Sequence, residues 1–283
     1  MLPLSIQSTI EQYLDTRLIN ISPIAGGDIN HAAKITFENS STYFLKWNEH
    51  APESMFATEA QGLTLLANHS AFIVPKVIVQ GESFLVLNLI NEGRAESNSA
   101  FEFGIQLANM HQQSSDMFGL DHDNFIGRLP QGNTKHNSWS DFFISERIKP
   151  QVALGFDNGI FPRSLLLSVD QLYATVEKLF PEEPPALLHG DLWSGNYMFT
   201  EGGNTCIYDP AVYYGHREMD IAMTCLFGGF SPDFYKGYQS KYPLKQGWEN
   251  RLALCNLYPL LVHANLFGGS YINQVTSLFT RYA

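Results

Sequence analysis

The first apolar positions of the chain, Ile6, Ile10, Tyr13 and Leu14, recur at helical spacing and predict an amphipathic helix over 6–14. The period then shortens. Runs at 21–25, 32–37 and 42–47 alternate or cluster as strands do. Gly26-Gly27-Asp28-Ile29-Asn30 turns the chain between the first two, and Glu38-Asn39-Ser40-Ser41 between the second and third, which makes an antiparallel meander. A helical stretch follows over 53–68, with Met55, Phe56, Leu63, Leu65 and Leu66 apolar. Strands at 71–79 and 83–89, around Gln80-Gly81-Glu82, complete a five-stranded sheet with one helix, and Pro75 suits a strand edge or start. Beyond Asn91-Glu92-Gly93-Arg94 the pattern is mainly helical, at 100–111, 139–148, 165–180, 220–227, 234–238 and 248–266, with a loop-rich stretch over 118–135. The expected class is therefore α+β in two lobes: residues 1–90 form a small antiparallel sheet with a leading helix, and residues 91–283 form a helical lobe.

Composition narrows the classes. Of 283 residues, 45% are hydrophobic and 16% charged, an ordinary globular balance. The net charge of −11 argues against a general nucleic-acid binder or an anionic-membrane binder, both of which need a basic face. No basic region leads into an apolar core at the N-terminus, and no apolar run is long enough to span a bilayer. Cys206, Cys225 and Cys255 lie far apart with no metal-like spacing, which predicts buried thiols in a reducing compartment. A cytoplasmic monomer is the expectation. No zinc site is expected from nine scattered histidines.

The chemistry concentrates in Leu187-Leu188-His189-Gly190-Asp191-Leu192-Trp193-Ser194-Gly195-Asn196, followed by Tyr208-Asp209. Phosphoryl transfer needs an acceptor for a hydroxyl proton and ligands for Mg2+, and a His-x-Asp-x-x-x-x-Asn loop can supply both. Asp191 reads as the base, with Asn196 and Asp209 as metal ligands. A plain polar loop is the alternative for that spacing alone, since Asp and Asn favour turns. Strand-like runs flank Glu201-Gly202-Gly203-Asn204, a hairpin signal, and a hairpin would bring Asn196 and Asp209 beside one cation. Mg2+ favours few protein ligands plus phosphate and water, which fits so sparse a set.

Three further pieces bear on a nucleotide. The loop containing Gly26, Gly27 and Asn30 either permits positive φ between strands or folds over phosphates with its amides turned inward. It is neither a Walker loop nor a good G-x-G-x-x-G. Lys46 lies in an otherwise apolar strand. It is either an edge lysine or the strand lysine that holds the α- and β-phosphates and pairs with a helix glutamate. Glu59 is the candidate partner, with Glu49 and Glu53 as competitors. In a kinase layout, Asn88, Leu89 and Ile90 lie where backbone groups meet adenine.

With these motifs, and with Tyr208-Asp209-Pro210-Ala211 and Arg217-Glu218-Met219-Asp220 leading to Leu226-Phe227-Gly228-Gly229-Phe230, nearly the whole chain resembles the fructosamine kinase (ketosamine kinase) family. That family shares the aminoglycoside-phosphotransferase and protein-kinase-like fold. The resemblance implies ATP and Mg2+ as cofactors, and transfer of the γ-phosphate to a sugar hydroxyl of a small-molecule ketosamine or glycated amine. The phosphorylated adduct then breaks down and frees the amine. The resemblance also implies that His189 and Asp220 support the catalytic loop and that Trp193 lies against the sugar or its amine side. Such a contact suits a polyol and a cation. A loop aromatic packed at a lobe boundary is the plainer reading of Trp193. Asp141, His216 and Glu218 are the remaining acceptor-site candidates. Asp28 stands where some members carry a cysteine, so thiol-based control there is not expected. A related acceptor of the aminoglycoside, choline or homoserine type is the alternative. A true protein kinase is disfavoured, because no long activation segment or Ala-Pro-Glu follows Asp209.

Overall fold

Helix α1 spans Leu4–Leu14 and is followed by strands β1 (Leu18–Pro23), β2 (His31–Phe37) and β3 (Thr42–Trp47), helix α2 (Met55–His69), and strands β4 (Val77–Gln80) and β5 (Phe84–Asn88). Helix α3 (Ser99–His111) comes next, then β6 (Asn124–Ile126), β7 (Leu129–Gln131), α4 (Trp139–Phe142), a π-helical turn over Phe143–Ile148, α5 (Lys149–Asp157), α6 (Arg163–Leu167) and α7 (Val169–Leu179). The chain continues through β8 (Ala186–Leu188), β9 (Tyr197–Phe199), β10 (Thr205–Ile207), β11 (Tyr213–Gly215) and α8 (Glu218–Leu226). It ends in α9 (Pro232–Lys241), α10 (Trp248–Cys255), α11 (Leu257–Phe267) and α12 (Ser270–Tyr282). The computed structural model describes residues 2–24 and 29–283. The chain divides into two compact units, residues 1–99 with 195–210, and residues 100–194 with 211–283.

The first unit is built on an antiparallel sheet of five strands in the order β1-β2-β3-β5-β4. Alternation sorts its faces. Leu45 and Trp47 of β3 join Ile35, Phe37 and Val86 in a core closed by Ile6 and Ile10 of α1. Lys46, between them in sequence, is directed to the other face. The hairpin β9–β10 belongs to this unit, with Thr205 opposite Phe199 and Ile207 opposite Tyr197. Thr200 and Asn204 close a three-residue turn, the Gly203 amide donates to the Thr200 carbonyl at 3.0 Å, and Gly202 and Gly203 take φ +82° and +71°, which glycine adopts without steric cost. Cys206 bridges to Ile73, and the Gly93 amide donates to the Phe199 carbonyl at 2.7 Å. The hairpin is thus sewn to the segments on either side of β4 and β5.

The second unit buries one large core, with Phe142, Phe143, Ile148 and Val152 against Leu172, Val176, Leu257 and Leu261. Several features depart from the expectations, among them the pairing of Ala186–Leu188 with Tyr213–Gly215. The stretch 118–135 contains the short hairpin β6–β7, the helix expected at 139–148 changes to a π-helical turn after Phe142, and residues 270–282 form a further helix. Among the described residues, no helix is long and apolar enough to cross a membrane.

Candidate active site

The first unit concentrates charge at Lys46. Pairing with Ala32 on one side and Leu85 on the other fixes its place in the sheet. Its Nζ donates to Glu59 Oε1 and Oε2 at 3.1 and 3.0 Å, and to Asp209 Oδ1 at 2.8 Å. Glu59 reaches it from α2, and Glu49 and Glu53 play no part in that pair. Burial works against the ammonium charge, but the carboxylates of Asp209 and Glu59 outweigh it and raise the Lys46 pKa. Glu59 is pushed up to about 7 by burial; Lys46 pulls it down, while the second carboxylate of Asp209 adds to the rise.

Asp209 leaves β10 at φ +53°, a left-handed conformation that Asp tolerates better than most residues. The hairpin base holds it there: the Tyr208 amide donates to the Asn196 carbonyl at 3.1 Å, and Asn196 Nδ2 is 3.5 Å from the Asp209 carbonyl. Asn196 is buried, whereas the Asp209 side chain keeps 40% exposure. One amide and one partly exposed carboxylate form an all-oxygen donor set that fits Mg2+, which takes its remaining ligands from water and phosphate. Among the described residues no three His, Cys, Asp or Glu side chains gather into a metal cage.

In the second unit, β8 delivers the chain into His189-Gly190-Asp191. Asp220, on the first turn of α8, accepts from the His189 amide at 2.8 Å and from the Gly190 amide at 2.9 Å. Gly190 has φ +83°, and a Cβ there would stand 2.0 Å from the Ala211 carbonyl oxygen. Only glycine fits, which explains why the position cannot hold an arginine. His189 is fully buried; its carbonyl accepts from the Ala211 amide at 2.9 Å, and its Nδ1 accepts from the Asp191 amide at 3.3 Å. Asp191 itself is half-buried. Trp193, 37% exposed, meets Phe227 edge-on with ring centroids 6.0 Å apart.

Other candidates behave differently. Gly26 and Gly27 lie outside the described residues. The side chain of Asn30 accepts from Asn48 Nδ2 at 3.2 Å, and the same amide donates to the Ile29 carbonyl. Asn88 spends its side chain on the Lys76 amide, while Leu89 and Ile90 follow half-buried beyond the strand. Two acceptor-site expectations, Glu218 and His216, fall on fully buried side chains, and the third, Asp141, on a half-buried carboxylate engaged near a helix start. The Glu218 carboxylate is fully buried and bound at both oxygens by Arg251, at 2.6 and 2.7 Å, so it has no face to offer an acceptor. His216 is fully buried between Trp139 and Phe180. Asp141 is the third residue after the cap of α4; its carboxylate accepts from Ser138 Oγ at 2.6 Å and Tyr173 Oη at 2.8 Å, the geometry of a helix cap. Two further hydrogen-bonding side chains, Asn48 bonded to Asn30 and His111 bonded to Asp220 and Tyr238, were not singled out by the sequence. Asn48 gives no sequence signal beyond following β3, and His111 only ends a helix.

Comparison with known proteins gives the same picture. The chain is 39% identical over 281 residues to a probable ketoamine kinase of Vibrio parahaemolyticus, covering 95% of this chain and 96% of that protein. It is 41% identical to a probable ketoamine kinase of Synechocystis over 264 residues, covering 90% and 87%. A Thermobifida fusca protein proposed to be a fructosamine-3-kinase superposes with a TM-score of 0.87 at 30% identity, covering 98% and 97% of the two chains. The gentamicin complex of the aminoglycoside phosphotransferase APH(2")-IIa superposes with a TM-score of 0.67 at 13% identity, covering 100% and 97%, a likeness of fold alone. Sheet, strand lysine and helical second unit define a phosphotransferase of kinase-like fold. Within that class, the chain belongs to the fructosamine kinase family, whose family model matches residues 3–283.

Proposed function

We propose that this protein transfers the γ-phosphoryl group of ATP to a sugar hydroxyl of a ketosamine, a small amine-bearing sugar adduct formed by glycation. The observation that carries the reading is the meeting of Lys46, Glu59 and Asp209, residues 163 positions apart at the extremes, around one ammonium. In this reading Lys46, held by Glu59, binds the α- and β-phosphates. Asn30 at the end of the glycine loop, with Gly26 and Gly27, covers the triphosphate, and backbone groups of 88–90 meet the adenine. Asn196 and Asp209 hold Mg2+, which when bound neutralises charge on the transferring phosphates. The Asp191 carboxylate accepts the hydroxyl proton as the new O–P bond forms and the bond from the γ-phosphorus to the bridging oxygen of ADP breaks. His189 and Asp220 keep the Asp191 loop in shape, and Trp193 stacks on the sugar or its amine.

The phosphorylated adduct would then break down and release the amine, a deglycation role in the cytoplasm, where ATP is supplied. The relatives' names support the acceptor class. ATP consumption with a matched pair of ribulose- and fructose-amine adducts tests it, alongside an aminoglycoside, choline and homoserine. Turnover on a ketosamine is expected, and a strong preference for an aminoglycoside would overturn the acceptor. Asp191→Asn should abolish turnover while Mg-ATP still raises the melting temperature. Unchanged turnover in that variant would remove Asp191 as the base.

A further inference from the structure

The second unit buries a cation without an acid beside it. Arg147, in the π-helical turn, is fully buried, and among the described residues no carboxylate pairs with its guanidinium. The guanidinium lies over the rings of Tyr213, Phe142 and Tyr258, at 4.0, 4.5 and 5.4 Å from their centroids, which offsets part of its lost hydration. Its Nη1 donates to the Gly132 carbonyl, and its Nη2 donates to Asn133 Oδ1 at 2.7 Å. A charge taken out of water without an ion pair is costly, and π-helical turns gather at functional sites.

From Asn133 a series of side-chain amides reaches the backbone beside the catalytic loop. Asn133 Nδ2 donates to Asn124 Oδ1 at 3.0 Å and to the His122 carbonyl at 3.1 Å. Asn124 Nδ2 donates to the Val212 carbonyl at 2.8 Å. Gln131 Nε2 donates to Asn124 Oδ1 at 2.7 Å and to the Ala211 carbonyl at 3.2 Å, while Gln131 Oε1 accepts from the Tyr258 hydroxyl at 2.8 Å. Arg147, Asn133, Asn124, Gln131 and Tyr258 are all 4% exposed or less.

Donor and acceptor chemistry gives this series one direction. An amide can be turned end for end with little change of shape, so its partners must choose the orientation. A guanidinium only donates, so Asn133 offers it Oδ1 and keeps Nδ2 for Asn124. Asn124 then offers Oδ1 and keeps Nδ2 for Val212. Gln131 faces two oxygens, of Asn124 and Ala211, and presents Nε2 to both. Reversing any amide would set N–H against N–H or oxygen against oxygen. The two carbonyls at the far end need these donors, because the pairing of β8 with β11 stops at Leu188 and Tyr213. Ala211 is also the residue whose amide donates to the His189 carbonyl and whose own carbonyl oxygen stands against Gly190.

We propose that Gln131 and Asn124 are positioning residues for phosphoryl transfer: their amides, turned by Arg147, hold the Ala211 and Val212 carbonyls and thereby keep His189-Gly190-Asp191 in place. The proposal rests on the reading of Asp191 as the base. It differs from simple core packing in requiring hydrogen-bond donors, and not only volume, at positions 131 and 147.

The test compares Arg147→Lys, Arg147→Met and Gln131→Met in the full-length protein, well below each melting temperature. A lysine keeps a cation among the rings and a donor for Asn133; a methionine keeps neither. In Arg147→Met and Gln131→Met, kcat should fall by about 10–100-fold, the range seen when a group that orients a site residue is lost. The KM for ATP should change less than about threefold, and the Ala211 amide should exchange hydrogen faster. Arg147→Lys should recover most of kcat and of the protection. In wild type, spectra with 15N-labelled asparagine and glutamine should show slowly exchanging side-chain amide protons at Asn124 and Gln131, and Arg147→Met should speed their exchange. Wild-type amide protons at both residues exchanging as fast as exposed ones, or Lys and Met variants of Arg147 equally slow at equal melting temperature, would overturn the proposal. If Arg147→Met does not fold, the wild-type side-chain exchange and the kcat of Gln131→Met decide, with wild-type kcat in that variant counting against it. A wild-type enzyme inactive on every ketosamine, or full turnover in Asp191→Asn, would sink the functional reading, and the exchange at Asn124, Gln131 and Ala211 would still judge the amide series.

Discussion

The ammonium of Lys46 stands 2.8 Å from Asp209 Oδ1 and 3.0 Å from Glu59 Oε2, so a strand, a helix and the end of a hairpin share one cation. The Glu59 side chain is 10% exposed and that of Asp209 is 40% exposed. The two carboxylates are therefore unequal: the buried one depends on Lys46 for its charge, and the exposed one can turn to water.

Lys46→Met tests that dependence. Glu59, already pushed up to about 7 by burial, loses the cation that pulls it down, so its pKa rises further in the variant. An acid whose folded pKa lies above its unfolded value costs stability as pH rises between the two. The variant's loss of stability should thus grow from pH 6 to pH 8, by about 1–3 kcal/mol at one unit per 1.36 kcal/mol. Adding Glu59→Gln should remove the slope. Urea denaturation at both pH values checks this, and a pH-independent loss would contradict it. Turnover with ATP should fall by at least about 10²-fold, comparable to removing one preorganised charge-stabilising group.

Much of this arrangement was legible in the sequence, and what was missed has physical reasons. The meander announced itself because turn residues separate strand-like runs, and the five-stranded sheet followed. The hairpin after Asn196 could be read because Glu201-Gly202-Gly203-Asn204 stands between two strand-like runs, and both glycines take the positive φ that glycine permits. The strand β11 was not legible, because Tyr213-Tyr214-Gly215 is too short to show a period. The helix 270–282 was not expected; Gly268-Gly269 separate it from α11. The errors at His216 and Glu218 have a different source. A charged or polar residue beside a catalytic motif looks like a substrate contact, and sequence does not show burial. Arg251, which claims both Glu218 oxygens, lies 33 positions away.

That ion pair makes its own prediction. Glu218 and Arg251 bury a bidentate contact, so removing one partner leaves an uncompensated charge. Arg251→Met should cost about 3–5 kcal/mol in unfolding free energy, while pairing it with Glu218→Leu should recover much of the loss. A double mutant as unstable as the sum of the two single mutants would show that the two residues are not coupled.

His216 gives the acid limit. Burial lowers its pKa from 6.5 to about 4, with Glu183, whose carboxylate is 3.8 Å from Nε2, pulling the other way. In this window the unfolded chain binds a proton that the folded protein refuses. Stability from this group is complete above the unfolded value and is lost as pH falls toward 4. The loss amounts to about 3 kcal/mol at 1.36 kcal/mol per unit. His216→Phe, which keeps a ring between Trp139 and Phe180, should flatten the fall between pH 6.5 and 4 in denaturant titrations. An equally steep fall in the variant would assign the acid sensitivity elsewhere.

Gly190 separates backbone strain from collision. A left-handed φ costs a side chain roughly 1–2 kcal/mol by itself. Gly159, at φ +70° with nothing within 4 Å of its missing Cβ, carries only that cost, so Gly159→Ala should lose about 1–2 kcal/mol and keep full turnover. Gly190, at φ +83°, adds the Ala211 carbonyl oxygen 2.0 Å from the same atom. That neighbour is backbone and cannot rotate aside. Relief must come by moving Ala211 or the loop, and either movement breaks the Asp220 bonds that hold His189 and Gly190. Gly190→Ala should therefore lose about 2–4 kcal/mol and most of its turnover together. Thermal melts and ATP consumption on the two alanine variants check the contrast. Equal losses in both would mean that the Ala211 carbonyl yields, and that the glycine is there for its φ alone.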